Sequence, residues 1–127
     1  MQVGNKQILL IGDRLLIKPD NPEERTRVGL YLPQSVTEKE PVQGGRVVET
    51  GPGVAIPHFT VTGEGTERRL DVPVRFMPVQ AEVGDYALFL RREAVEIRYQ
   101  DQIFMVVPQS GVMLLIRGED DANWRQG

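Results

Sequence analysis

The stretch RTRVGLYLPQSVTEKE, residues 25–40, carries three bulky apolar side chains, Leu30, Tyr31 and Leu32, between Gly29 and Pro33 in a run otherwise dominated by charge. It sits inside residues 19–43, punctuated by Pro19, Pro22, Pro33 and Pro41 and charged from Asp20, Glu23, Glu24, Arg25 and Arg27 to Glu38, Lys39 and Glu40. A connection of this length without regular structure is uncommon in a compact domain, and is usually functional or disordered. Its few apolar side chains do not offset an ordering cost of roughly 1–2 kcal/mol per residue of backbone. The segment is therefore expected to be mobile in the free protein. Two readings of GLYLP follow: a short edge strand packed on its own domain, or an apolar hook that finds burial on another molecule. Burying the three side chains would yield about 5 kcal/mol gross. Ordering the segment takes back much of that, so a single copy is expected to bind weakly. Gly29 permits positive φ or close backbone approach, and Pro33 ends the extended piece.

Outward from this segment the pattern is β. No window of about a dozen residues places apolar side chains at i, i+3, i+4 and i+7 without an intervening Pro or Gly. Short apolar runs bounded by Gly, Pro, Asp and Asn recur instead. They predict strands over residues 8–18, 46–50, 86–90, 94–99, 103–107 and 112–117, with two more over 55–62 and 70–77 around the turn GEGTER. Many short strands of this kind suggest a small β-barrel or sandwich. The first run, ILLIGDRLLI (8–17), and the last, VMLLIR (112–117), are apolar at successive positions, so both want cover on two faces. Either both lie in mid-sheet, or they are edges that a neighbouring copy covers. The second is the expectation.

Composition narrows the function classes. The 127 residues suffice for one domain, and 40% hydrophobic content for a modest core. The absence of cysteine removes disulfides, thiolate chemistry and Cys-based zinc sites, and suits a reducing cytoplasm. A net charge of −3 argues against nucleic acid. The pairs Arg68–Arg69 and Arg91–Arg92 read as solvated surface. No stretch of about 18 apolar residues spans a membrane, and the N-terminus lacks the features of a signal peptide.

Candidate sites for chemistry fall away in turn. His58, the sole histidine, has no Cys or acidic cluster to share a metal with. GPG (51–53) and TGEGTE (62–67) lack the Lys–Ser/Thr of a phosphate loop and a following helix. The acidic cluster 119–121 lacks the spacing of a calcium loop. Ser35 and Ser110 form no credible triad with His58. No catalytic residue, metal or cofactor is expected.

The order of motifs is more telling than any one of them. GDRLLIKPDNPEERTRVGLYLPQSVTEKEPVQGGRVVETGPG (12–53) has "DR" after the first apolar run, an acidic stretch, a G-aliphatic-x-L-P core, an exit at Glu40 and Pro41, and a strand after Gly45. VGDYALFL (83–90) and EIRYQDQIFMVVPQSGVMLLI (96–116) follow. Over nearly its whole length the chain resembles the GroES-type co-chaperonins, the 10-kDa chaperonin family.

The resemblance implies an all-β, GroES-like β-barrel over residues 1–118, with a mobile loop at 20–43, a long roof hairpin at 54–82 and a disordered tail at 119–127. It implies a non-enzymatic co-chaperonin that caps a 60-kDa GroEL-type chaperonin as a seven-fold ring and closes a chamber around unfolded polypeptides in the cytoplasm. The docking positions that match are Gly29, Leu30, Tyr31 and Leu32. Ring closure, between the first strand of one subunit and the last of the next, falls on Leu9, Leu10 and Ile11 against Leu114, Leu115 and Ile116. A small β-barrel adaptor of the same fold, using its long hairpin for another partner, is the alternative.

Three departures stand out. The roof stretch between Gly53 and Val83 is about twice the family's usual length, and its apolar residues (Ile56, Phe59, Val61; Val72, Val74, Phe76) predict a long hairpin. REAV (92–95) fits a strand better than the family's turn, and Gly111 stands where an acidic residue is usual. The tail past Gly118 also exceeds the family's pattern, with Trp124 as a surface anchor. The zinc-dependent alcohol dehydrogenases share the barrel, but need zinc ligands and a dinucleotide-binding domain that this sequence lacks.

Overall fold

The computed structural model describes residues 1–33, 41–56, 60–61, 68–69 and 75–119. In chain order the strands are β1 (Gln2–Val3), β2 (Lys6–Gln7), β3 (Arg14–Pro19), β4 (Val42–Thr50), β5 (Val54–Ile56), β6 (Thr60–Val61), β7 (Arg68–Arg69), β8 (Arg75–Met77), β9 (Tyr86–Leu90), β10 (Val95–Tyr99), β11 (Gln102–Pro108) and β12 (Val112–Ile116). One helix, α1 (Pro22–Arg27), lies between β3 and β4.

The main sheet is antiparallel, in the order β10-β11-β3-β4-β9-β12. β3 lies in its middle, with Ile17 opposite Met105 on one side and Val47 on the other. That placement explains the two-sided apolarity of RLLIKP: Leu15, Leu16 and Ile17 are all sealed from solvent. Leu15 and Ile17 join Val47, Ala81, Ala87, Phe89, Met105 and Val107 in one core cluster. Side chains from β3, β4, β9 and β11 converge there, so the sheet curls around them.

The all-β expectation holds. Hydrogen bonds do not close the sheet into a barrel, because β10 and β12 each pair on one side only. The chain reaches β12 through a 3-10 turn, Gln109–Gly111, that carries it from β11 to the far side of β9. A register shift between Val112 and Leu114 then bulges this last strand at Met113.

Three expected boundaries move. The first strand, expected over 8–18, enters the sheet only at Arg14. Gly12, at φ 68°, turns the chain, and its carbonyl accepts the Gly53 amide at 3.0 Å, so residues 8–11 lie outside any strand. REAV, expected as strand, starts in a 3-10 turn over Arg91–Glu93. The segment 19–43, expected without regular structure, holds α1 and gives its ends to β3 and β4.

Beyond Gly53 the chain forms nested antiparallel pairs: Val54 opposite Met77, Ile56 opposite Arg75, then Thr60 opposite Arg69. The two ladders are nested as the strands of a hairpin are, and neither joins the main sheet. Phe59, Val72, Val74 and the GEGTE run (63–67) lie outside the described residues, as do His58 and residues 120–127 with Trp124.

Candidate functional site

The structure places the four residues of the expected hook directly after α1. Six residues are too few for a helix to persist alone in water, and DNPEERTRVGL supplies what length does not. Asn21 caps the N-terminus, its Oδ1 accepting the Glu24 amide at 2.8 Å, with Pro22 at the start of the first turn. Glu23 and Glu24 occupy the first turn, and Arg25 and Arg27 the last, each sign at the helix end it favours. At the other end the Gly29 amide donates to Thr26 O at 3.0 Å and the Leu30 amide to Arg25 O at 3.1 Å. These two bonds, with Gly29 at φ 87°, make a Schellman stop. A Cβ at Gly29 would meet nothing within 4 Å, so glycine is needed there for its backbone angle and not for space. Past this stop Tyr31 is 81% exposed, and Leu30 and Leu32 are half-buried. The segment joins no strand of the sheet, which removes the edge-strand reading of GLYLP. The remainder of the expected loop, residues 34–40, lies outside the described residues.

At the root of α1 stands a polar cluster on the outer side of the sheet. The Asp20 side chain is buried, and its Oδ2 accepts the Tyr86 hydroxyl at 2.5 Å. Arg25 donates to both carboxylate oxygens, at 3.3 and 3.4 Å, and the Asp20 amide donates to Gly44 O at 3.0 Å. Burial first, and the Asp20 carboxylate second, push the Tyr86 phenol far above its ordinary range. It therefore remains a donor. Gly44 makes room for this hydroxyl: a Cβ there would lie 1.9 Å from it.

A second buried carboxylate fastens the closing strand. Asp85, 2% exposed, accepts two bonds from Arg117 at 2.8 Å and one from the Glu82 amide at 2.8 Å. The Arg117 guanidinium, helped by that amide and opposed by burial, holds the Asp85 carboxyl below its usual value. Arg117 also pairs with Glu82 at 3.2 Å.

The expected subunit-contact residues lie at both ends of the chain. Leu9 and Ile11 are 70% and 73% exposed, and Leu10 is half-buried. Beside them is a groove of about 580 Å³ floored by Glu49, Thr50 and Pro52. Leu114 is exposed on edge strand β12, and Leu115 and Ile116 are half-buried, with Leu115 packing on the core. A groove of about 320 Å³ runs along this strand between Leu15, Ala81 and Val112. The expected mid-sheet alternative thus applies to Leu15–Ile17 but not to Leu9, Ile11 or β12. No group of acidic or His side chains able to hold a metal occurs among the described residues, and no helix among them is long and apolar enough to cross a membrane.

Sequence reasoning missed α1 and both carboxylate anchors. The helix was signalled by its caps and charges, not by apolar periodicity, which six residues cannot display. The anchors join residues 66 and 32 positions apart in sequence, so no local pattern announces them.

Residues 7–116 match the model of a protein family described as the chaperonin 10 Kd subunit. Among curated proteins, the chain is 33% identical over 107 residues to the co-chaperonin GroES of Geobacillus kaustophilus, covering 84% of this chain and 97% of that one. It is 28% identical over 114 residues to the co-chaperonin GroES of Coprothermobacter proteolyticus, covering 90% and 99%. The match to that of Geobacillus thermodenitrificans is 32% over 106 residues, covering 84% and 95%.

Proposed function

We propose, since the chain belongs to the chaperonin 10 Kd subunit family, that it works as a co-chaperonin: it assembles with copies of itself and caps a GroEL-type chaperonin. Its part is binding, not catalysis. The finer reading is a seven-membered cytoplasmic ring that closes a chamber around unfolded polypeptides. In it Leu30, Tyr31 and Leu32 dock into an apolar groove of the chaperonin, and Gly29 lets the chain leave α1 toward it.

The observation that carries the docking assignment is the exposure of Tyr31 between two half-covered leucines, on a segment its own sheet does not pair. A tyrosine exposed between two half-covered leucines, with no strand beside it, is suited to burial on a partner. The ring contact has parallel support. Leu9 and Ile11 are exposed outside the sheet just ahead of β3, and β12 offers an unpaired edge with a groove alongside it that takes in Leu15, Val112 and Leu115. Such a head-to-tail contact is heterologous and closes only if its rotation allows.

Weak docking per copy then becomes an advantage. Once one loop is bound, the rest act at high effective concentration, and avidity replaces affinity. A change of state in the chaperonin that loosens each contact a little releases the whole cap.

The test is refolding. Added to a GroEL-type chaperonin with ATP and a substrate that the chaperonin alone does not release folded, the protein is expected to raise the yield of native substrate. An unchanged yield, with no complex on native mass spectrometry, contradicts the reading.

A further inference from the structure

We propose that Asp20, Tyr86 and Arg25 form a clamp that fixes the root of the docking segment, so that residues 20–28 are ordered before the hook docks. The inference rests on the docking role of residues 30–32. It concerns how that segment is carried.

Three features converge. First, α1 is stopped at both ends, by Asn21 and by the paired bonds at Gly29 and Leu30, so it holds its six residues as one unit. Second, this unit is tied to the sheet by a carboxylate with almost no solvent exposure, whose oxygens are occupied by a phenol from β9 and a guanidinium from α1 itself. Third, β4 is shaped for the arrangement, since any side chain at Gly44 would displace the Tyr86 hydroxyl. Buried polar groups satisfied in this way are costly to break, because each partner is left unpaired away from water.

The consequence is entropic. A segment free from residue 20 would lose the conformational freedom of every residue from there to the hook each time it docked. With the clamp closed, residues 20–28 are ordered before docking and add nothing to that cost. Preorganisation of this kind strengthens binding without a new contact. Asp20, Tyr86 and Arg25 are therefore positioning residues, acting through α1 on a segment they do not belong to.

The experiment uses the full chain with a GroEL-type chaperonin and ATP. Tyr86→Phe removes one hydroxyl, and Arg25→Met opens the clamp from the opposite side should the first variant fold poorly. Amide hydrogen exchange is expected to accelerate about tenfold at residues 24–30, while amides of Leu16 and Phe89 keep their wild-type rates. Chaperonin binding is expected to weaken several-fold in the same variants, with the oligomer unchanged on native mass spectrometry. The double variant Leu30→Asp/Leu32→Asp serves as reference. If it loses binding while the clamp variants bind normally, the clamp is overturned and the docking assignment stands. If all of them bind normally, the docking assignment fails and takes the clamp's role with it. Unaltered exchange at residues 24–30 also overturns the clamp.

Discussion

Leu15, Leu16 and Ile17 are sealed from solvent, whereas a short distance along the chain Tyr31 stands 81% exposed between Leu30 and Leu32. The two triplets are of similar apolarity, and their fates differ because of what flanks them. The first enters the sheet between β4 and β11, so both its edges are hydrogen-bonded and both its faces are covered. The second follows a helix that ends in a left-handed glycine, which turns the chain away from any strand that could pair with it. Leu9 and Ile11 show the same logic: one turn at Gly12 separates them from the buried triplet and leaves them outside the sheet. For these two triplets cover follows the ladder: the one in the middle of the sheet is buried, and the one that joins no strand keeps its tyrosine in solvent.

The contrast is sharpened first by truncation in the sheet. Leu15→Ala opens a cavity in the core cluster and is expected to cost about 2–5 kcal/mol, read from chemical denaturation. Asp85→Asn comes next. It removes the charge that two Arg117 bonds stabilise, for an expected loss of about 1.5–3 kcal/mol near neutral pH. The sign of its pH dependence follows from its lowered folded-state value. The unfolded chain takes up the proton more readily, so the contribution is complete above the unfolded value of about 3.9 and is lost as pH falls through the lower folded value. The variant should therefore show a shallower loss of stability on acidification below about pH 4. The smallest effect belongs to the other triplet: Tyr31→Ala is expected to shift stability by no more than about 0.5 kcal/mol. A loss there comparable to that of Leu15→Ala would erase the distinction between the two triplets.

Much of this was legible in the residues. Alternating and continuous apolar runs located the sheet strands, with β9 falling on residues 86–90 as expected. The GLYLP run stood out in the sequence as apolar without an evident strand to join, and residues 30–33 join none. The two-sided apolarity of residues 8–17 was expected to mark an edge covered by a neighbouring copy, whereas residues 15–17 are covered within their own sheet. Where that cover comes from was not legible, because it depends on the turn at Gly12 and on which strands end up beside β3. The last run was expected to be an edge and β12 is one, but the open edge of β10 was hidden, because pairing between distant segments is a property of the assembled sheet. The Asp20–Tyr86 and Asp85–Arg117 anchors were also beyond a local reading. Each looks like an ordinary surface charge until the fold brings its partner to it.

The most direct test of the central claim is the affinity of the Leu30→Asp/Leu32→Asp double variant for a GroEL-type chaperonin in the presence of ATP, measured beside its thermal stability and oligomeric state. Binding is expected to vanish while the melting temperature and the oligomer stay as they are in the unaltered protein. Retained binding, or a variant that unfolds because those leucines were holding its own sheet together, would contradict the account.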